Sequence, residues 1–257
     1  MTTSRASDAE VAVHVARLTG ERLVRVRDAL QSAGASPRDV RDEGDDAAQV
    51  AIADLLRELR PTDAVLSEEA LDDPARLGAA RVWIVDPLDG TQEYSEHGRT
   101  DWAVHVALWE RSAAPDGAVT AAAVALPAEG RVLATHPAPP APPAREGVPR
   151  VLVSRSRAPR EALVVARALG AEVRALGSAG AKTMAVVRGD AELYVHAGGQ
   201  HQWDSAAPVA VALAAGLHAS CLDGSPLVYN RADTWLPDLI VCRPELAESA
   251  LAALRRG

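Results

Sequence analysis

The hexapeptide Asp86-Pro87-Leu88-Asp89-Gly90-Thr91 constrains this chain more than any other stretch. It follows directly on Arg-Val-Trp-Ile-Val at 81–85, a β-prone run, so both carboxylates fall where a strand is expected to end. The proline fixes one dihedral and the glycine permits a tight turn, so two acids three apart can converge on one point. Oxygen donors grouped in this way suit a hard divalent cation such as Mg2+. An acidic turn by itself is usually only a turn, so the rest of the chain has to decide.

Two further acidic positions bear on it. Glu68 and Glu69 follow a second short β-prone run, Ala64-Val65-Leu66, and Asp204 stands in Trp203-Asp204-Ser205-Ala206-Ala207-Pro208 at the expected start of a helix. Each has an ordinary reading as well. Glu68 and Glu69 continue into Asp72 and Asp73 as a solvated charge run, and Asp45 and Asp204 read as helix N-caps.

Around these positions the periodicity predicts a mixed α and β chain. Ser7 and Glu10 have capping-box spacing, and a long helix follows to Gly34. A second helix is expected with Asp45 and Asp46 at its entrance, running through Ile52 and Leu59 to a stop at Pro61. The stretches WAVHVALWE, VTAAAVALP and RVLAT read as an antiparallel meander. PAPPAPPAREGVP at 137–149 is too rich in proline for a core element, which places the boundary between an N-terminal α+β domain, 1–138, and a C-terminal α/β domain, 149–257, in a connector at 139–148. Beyond it VLVS, EVRAL, AELYVH and DLIVC read as strands, with helices at 160–169, 180–188 and 205–215 and a last helix to Arg255.

The 257 residues carry a net charge of −8 and no lysine or arginine stripe, which disfavours a nucleic acid partner. No apolar run reaches the roughly 18 residues of a membrane span and no signal-peptide core opens the chain, so a cytoplasmic protein without a membrane partner is expected. Cys221 and Cys242 have no metal-site spacing and read as reduced thiols. Lys182 is the only lysine.

The ordered set of an upstream Asp, then Glu68-Glu69, then Asp86-Pro87-Leu88-Asp89-Gly90-Thr91, then Trp203-Asp204-Ser205-Ala206-Ala207 resembles the signature of the inositol monophosphatase superfamily over residues 7–245. The resemblance implies a layered α-β-α-β-α sandwich of the inositol monophosphatase and fructose-1,6-bisphosphatase type. It also implies a Mg2+-dependent, lithium-sensitive phosphomonoesterase with two or three Mg2+ per site. By that resemblance Glu68, Asp86 and the Leu88 carbonyl hold one Mg2+, Asp86, Asp89 and Asp204 hold a second, and Asp45 with Thr91 orients the attacking water. Asp45 rather than Asp46 follows from counting back from Glu68, although the threonine common before that acid is missing here. Pro208 stands where the family usually has glycine, and a proline in a first helical turn is tolerated.

Within the superfamily, Gln92-Glu93-Tyr94, Val153-Ser154-Arg155-Ser156, the Gly177-Ser178-x-x-x-Lys182 stretch and Asp223 to Asn230 are similar to the CysQ-type bisphosphate nucleotidases. That similarity implies removal of the 3'-phosphate of 3'-phosphoadenosine 5'-phosphate. Gly90 and Thr91 would cradle the reacting phosphate, Ser154, Arg155, Ser178 and Lys182 the rest of the substrate, with Asp204 at its edge. An ordinary surface pair remains the alternative for Ser154 and Arg155, and an exposed helix position for Lys182. Hydrolysis of inositol 1-phosphate or another sugar phosphate is the second activity in view, and a catalytically silent metal- or nucleotide-binding regulator the third. The partner expected is a small phosphorylated molecule. Relatives are often dimers, so a homodimer is admissible.

Overall fold

A computed structural model of the chain describes residues 6–143 and 147–256. Two five-stranded sheets organise it. The first has the order β1-β2-β3-β4-β5, built from β1 (Ala64–Ser67), β2 (Arg81–Asp89), β3 (Ala103–Glu110), β4 (Ala118–Leu126) and β5 (Arg131–Ala134). Only β1 pairs in parallel there, with β2; the rest is the expected meander. The second has the order β7-β6-β8-β10-β9, from β6 (Arg150–Ser154), β7 (Glu172–Leu176), β8 (Leu193–His201), β9 (His218–Ser220) and β10 (Trp235–Cys242).

Both faces of the first sheet are apolar, because alternate residues of its strands pack into different cores. Trp83, Val85, Val104, Val106 and Leu108 meet helices α1 (Asp8–Ser32) and α2 (Pro37–Leu59). Val82, Ile84, Ala103 and Ala107 face the other way, against α5 (Ala179–Val187) and α6 (Gln202–Ala214). These two helices also cover the inner face of the second sheet, whose outer face packs α4 (Arg160–Leu169) and α7 (Pro244–Arg256). The layers therefore run α-β-α-β-α. The central core draws residues from both sheets, so the two halves of the chain share it.

The connector residues 144–146 lie outside the described residues, and 139–143 and 147–148 carry neither helix nor strand. Three expectations are corrected. Helix α2 starts at Pro37, not near Asp45: Ser36 caps it, with the Asp39 carboxylate accepting the Ser36 N–H at 3.3 Å to complete the capping box and the proline at the first helical position. The polar run Arg41 to Asp46 hides that start from a reading of apolar periodicity. Asp45 therefore projects from the middle of a helix and is no cap. Strand β2 does not end at Val85 but continues to Asp89 through a bulge, with Asp86 opposite His105 and Asp89 opposite Ala103. Pro208 lies inside α6 and not in its first turn, so it offers no N–H to the Asp204 carbonyl one turn back.

Candidate metal centre

The β2 bulge and the turn after it aim the acidic hexapeptide into the seam between the two sheets. Asp86 is 1 % exposed; its Oδ1 accepts the Leu88 N–H at 3.1 Å, while its buried Oδ2 has no hydrogen-bond partner. Asp89 is claimed by the second half of the chain. The N–H groups of Ala179 and Gly180, at the start of α5, donate to its two oxygens at 3.2 and 2.6 Å. Asp204 is the third residue of α6 and accepts the His201 N–H at 2.6 Å, which fixes its carboxylate as part of a capping box. Glu68 is exposed as a residue, yet its carboxyl lies against Asp86.

Carboxylate oxygens of Glu68, Asp86 and Asp204 lie within 4.8 Å of one another, and so do ligand atoms of Asp86, Asp89 and His105. Asp86 belongs to both groups, as a bridging ligand would. The division differs from the expected one in that Asp204 groups with Glu68 and Asp89 with His105.

Three anionic groups so close resist ionisation together. Burial first, then the charge of Asp204, pushes Glu68 up to about 7, and burial with the charge of Asp89 pushes Asp204 up to about 6. Asp86 is raised well above the ordinary carboxylate range by burial and by Glu68. Burial alone would also raise Asp89, but the His105 charge and the Gly180 N–H outweigh it and hold it low. A divalent cation relieves this repulsion, the donors are hard oxygens, and the orphaned Asp86 Oδ2 points to a missing partner. These residues fit Mg2+.

His105 is the residue that reading the sequence missed. It is fully buried, with Nδ1 3.1 Å from the Trp203 carbonyl oxygen and Nε2 3.1 Å from Asp89 Oδ2. An oxygen faces each nitrogen; burial lowers the ring's pKa, and the Asp89 charge outweighs it and raises it above the ordinary histidine value. Held between the Trp203 carbonyl and the Asp89 carboxylate, His105 is placed to brace Asp89. The signal was present: β3 alternates apolar residues toward both cores, and His105 occupies an inward slot between Ala103 and Ala107.

The expected water-handling pair also meets. Thr91 Oγ1 lies within donating reach of the Leu88 carbonyl at 3.2 Å and of Asp45 Oδ1 at 3.4 Å, while Asp46 is exposed. Burial, and next the charge of Glu69, raises Asp45 to about 7. Helix α2 can come this close because residue 44 is glycine: a Cβ there would sit 2.5 Å from the Tyr94 ring. The turn is pinned from the other side, where Tyr94 donates its hydroxyl to the Leu23 carbonyl at 2.9 Å and Arg27 donates to the carbonyls of Glu96 and Arg99. Gly90 has φ +89°, and a Cβ on it would stand 2.8 Å from that of Ser178.

The remaining positions spread outward from this centre. Lys182 is 3 % exposed and not an exposed helix residue. Its Nζ donates to the carbonyls of Gly177 and Ser178, and burial lowers its pKa to about 8. Ser178 is the N-cap of α5. Arg155 is exposed at the rim, paired with Glu93 at 2.9 Å and Glu96 at 3.0 Å, and Ser154 shares a 3.1 Å hydrogen bond with Ser156. Trp203 is only partly buried and stacks on His201, with ring centroids 4.7 Å apart.

A buried acidic centre, assembled where two sheets meet and shared by both halves of the chain, defines a class of metal-supported catalysts in α-β-α-β-α layers. Residues 5–256 match the model of the inositol monophosphatase family, and the chain belongs to that family. The 3'-phosphoadenosine 5'-phosphate phosphatase of Mycobacterium leprae is 49 % identical over 256 residues, covering 97 % of this chain and 94 % of the relative. The 3'(2'),5'-bisphosphate nucleotidase CysQ of Escherichia coli O157:H7 is 33 % identical over 247 residues, covering 86 % and 94 %. Among solved structures, CysQ from Bacteroides thetaiotaomicron superposes with a TM-score of 0.76 at 26 % identity, covering 95 % of this chain and 99 % of that one. Inositol monophosphatase II from Staphylococcus aureus does so with 0.77 at 20 % identity, covering 96 % and 95 %, a likeness of fold. No helix among the described residues is long and apolar enough to cross a membrane.

Proposed function

We propose that the chain hydrolyses the 3'-phosphate of 3'-phosphoadenosine 5'-phosphate, with one water consumed and AMP and inorganic phosphate released. The observation that carries a phosphatase reading is the buried acidic cluster centred on Asp86, with Asp89 and Glu68 from the first half of the chain and Asp204 from the second. The choice of nucleotide is supported by the names of the relatives at 49 % and 33 % identity.

Glu68, Asp86 and the Leu88 carbonyl would hold one Mg2+, and Asp86, Asp89 and Asp204 a second, with His105 bracing Asp89 from behind. Bound there, Mg2+ supplies neutralisation of phosphoryl and leaving-oxygen charge and acidifies a water. The chain's own contribution is placement and proton transfer. Thr91 Oγ1 accepts from the attacking water as its own proton passes toward Asp45 Oδ1, 3.4 Å away. Asp45, raised to about 7 by burial, is matched to taking a proton near neutral pH. The N–H groups of Gly90 and Thr91 are assigned to the reacting phosphate. Ser154 and Arg155, at the rim, are assigned to the second phosphate, where Arg155 would exchange its Glu93 and Glu96 partners for it. Lys182 and Ser178 act from beneath by holding the 177–180 segment that grips Asp89. No covalent phosphoenzyme is needed. Li+ is expected to inhibit by competing for these carboxylates, and the protein is placed in the cytoplasm.

Phosphate release from 3'-phosphoadenosine 5'-phosphate, inositol 1-phosphate, histidinol phosphate and fructose 1,6-bisphosphate, with Mg2+ and with a chelator, tests this. The nucleotide should have the highest kcat/KM and the chelator should abolish turnover. A preference for inositol 1-phosphate would establish the sugar-phosphate reading, and no release with Mg2+ the silent regulator.

A further inference from the structure

The ligands Glu68 and Asp204 come from segments separated by more than half the chain, so something must set the gap between them. One buried guanidinium lies between the two segments. Arg76, in the short helical turn Pro74–Gly78, is 1 % exposed. It forks onto Asp72 with Nε and Nη2 at 2.6 and 2.9 Å, which anchors the loop that runs on from Glu68. Its other donors cross to the second half of the chain, Nη1 to Asn230 Oδ1 at 2.7 Å and Nη2 to the Arg231 carbonyl at 3.1 Å.

The link continues to the catalytic helix. Gln202, the first residue of α6 and fully buried, donates to the carbonyls of Arg231 at 3.3 Å and Asp233 at 2.9 Å, and accepts the Arg231 N–H at 3.3 Å. Its own backbone N–H bonds the Thr234 carbonyl at 2.9 Å. Asp204 follows two residues later. The receiving loop is held in an unusual shape, since Asn230 is the only non-glycine residue among those described with positive φ, +55°. Arg76 therefore touches neither metal ligand, yet it joins both supports by charge-assisted, forked bonds that one planar group alone can make at once.

We propose that Arg76 is a positioning residue that sets the separation of Glu68 and Asp204 through Asp72 on one side and the Asn230–Arg231–Gln202 bridge on the other. The inference rests on the metal-centre reading above. A partner bonded directly to a metal ligand is worth about 10- to 100-fold in metal affinity, and Arg76, one link further out, is expected within that range because it holds both supports at once.

Two measurements on the full chain decide it. Mn2+ titration followed by electron paramagnetic resonance, without substrate, should show about 10- to 100-fold weaker binding in Arg76→Met. Asn230→Gly, which removes the acceptor and suits the positive φ, should weaken it in the same direction if Arg76→Met folds poorly. Arg150→Lys is the control, since it strains the buried Arg150–Glu192 pair, 3.1 Å apart, at the far end of β6. It should lower Tm without moving Mn2+ affinity. The second measurement needs no metal: spin labels at Leu71→Cys and Leu213→Cys, both exposed, with Cys221→Ser and Cys242→Ala, report the separation of the two segments. The distance distribution should broaden in Arg76→Met. Unchanged Mn2+ affinity in both variants, equal weakening in the control, or an unchanged distance distribution overturns the proposal. Absence of Mn2+ binding in the unaltered chain would instead remove the metal-centre reading, and the label distances would then decide the tie alone.

Discussion

His105 Nε2 stands 3.1 Å from Asp89 Oδ2 while its Nδ1 faces the Trp203 carbonyl oxygen at the same distance, so one imidazole ring joins β3, the acidic turn and the start of α6. Removing it takes a ring nitrogen from beside Asp89 and another from the residue preceding Asp204. His105→Leu is expected to lower Mg2+ affinity by about 10- to 100-fold, measured by calorimetric titration, with activity recovering at high Mg2+. Unaltered affinity would show that Asp89 is held by the α5 N–H groups without help from the ring.

The acidic cluster of Glu68, Asp86, Asp89 and Asp204 was legible in the sequence because each residue belongs to a compact motif, just after β1, at the end of β2 or in the first turn of α6. What stayed hidden depends on contacts between distant segments. The brace at His105 needs β3 to be paired in a known register before an inward slot can be told from an outward one. The start of α2 was lost because a helix lying on a rim can be polar for three turns. The sequence left Lys182 between a substrate contact and an exposed helix position, yet α5 is buried on nearly all sides between the sheets, from Gly180 to Val187. Helical period alone gives the face of a helix with one wet side and says little of one in a central layer.

In the proposed mechanism Thr91 and Asp45, 3.4 Å apart, carry the proton and do not hold the metal. Thr91→Ala and Asp45→Asn should each lower kcat by about 10²- to 10⁴-fold while Mg2+ binding stays near that of the unaltered chain. Asp46→Asn, at an exposed position one residue along, should be nearly silent in both. The reverse pattern, a crippled Asp46→Asn beside an active Asp45→Asn, would move the role to the neighbouring acid.

Gly180 leaves no room for a side chain: a Cβ would lie 2.1 Å from His105 Nε2 and 3.1 Å from Asp89 Oδ2. Alanine favours helix and would ordinarily stabilise α5 by about 1 kcal/mol. Here the clash should dominate, displacing the ring and the carboxylate together. Gly180→Ala is expected to lower Tm and to weaken Mg2+ binding, and a higher Tm with full activity would mean the pair moves aside freely.

The metal-free protein should respond to pH in a particular direction. Asp45 and Glu68 at about 7 and Asp204 at about 6 keep protons that the same residues lose near pH 4 when unfolded. The folded chain binds more protons across that window, so its stability is greatest at the acid end and falls as pH rises through 6 to 7. Mg2+ binds the ionised carboxylates, so it should release protons and raise Tm more at about pH 8 than at about pH 5. Scanning calorimetry with and without Mg2+ measures this. A Mg2+ effect equal at both pH values would place the cation away from these groups.

Lys182 and Arg155 should separate by the substrate they affect. The Lys182 ammonium is enclosed and donates to the carbonyls of Gly177 and Ser178, just before the N–H groups that hold Asp89. In the proposed mechanism every substrate relies on Asp89, so Lys182→Ala should lower kcat/KM for the bisphosphate nucleotide and for inositol 1-phosphate by similar factors. Lys182→Arg should rescue poorly, because a planar guanidinium is larger than the space an ammonium fills there. Arg155, by contrast, is exposed, paired with Glu93 and Glu96, and is assigned to the second phosphate. A charge-assisted hydrogen bond contributes about 1.5 to 3 kcal/mol, so Arg155→Ala should cost the nucleotide roughly 10- to 150-fold in kcat/KM and spare inositol 1-phosphate. If Lys182→Ala instead harms the nucleotide alone, the ammonium reaches the second phosphate itself, and the support role given to it here is wrong.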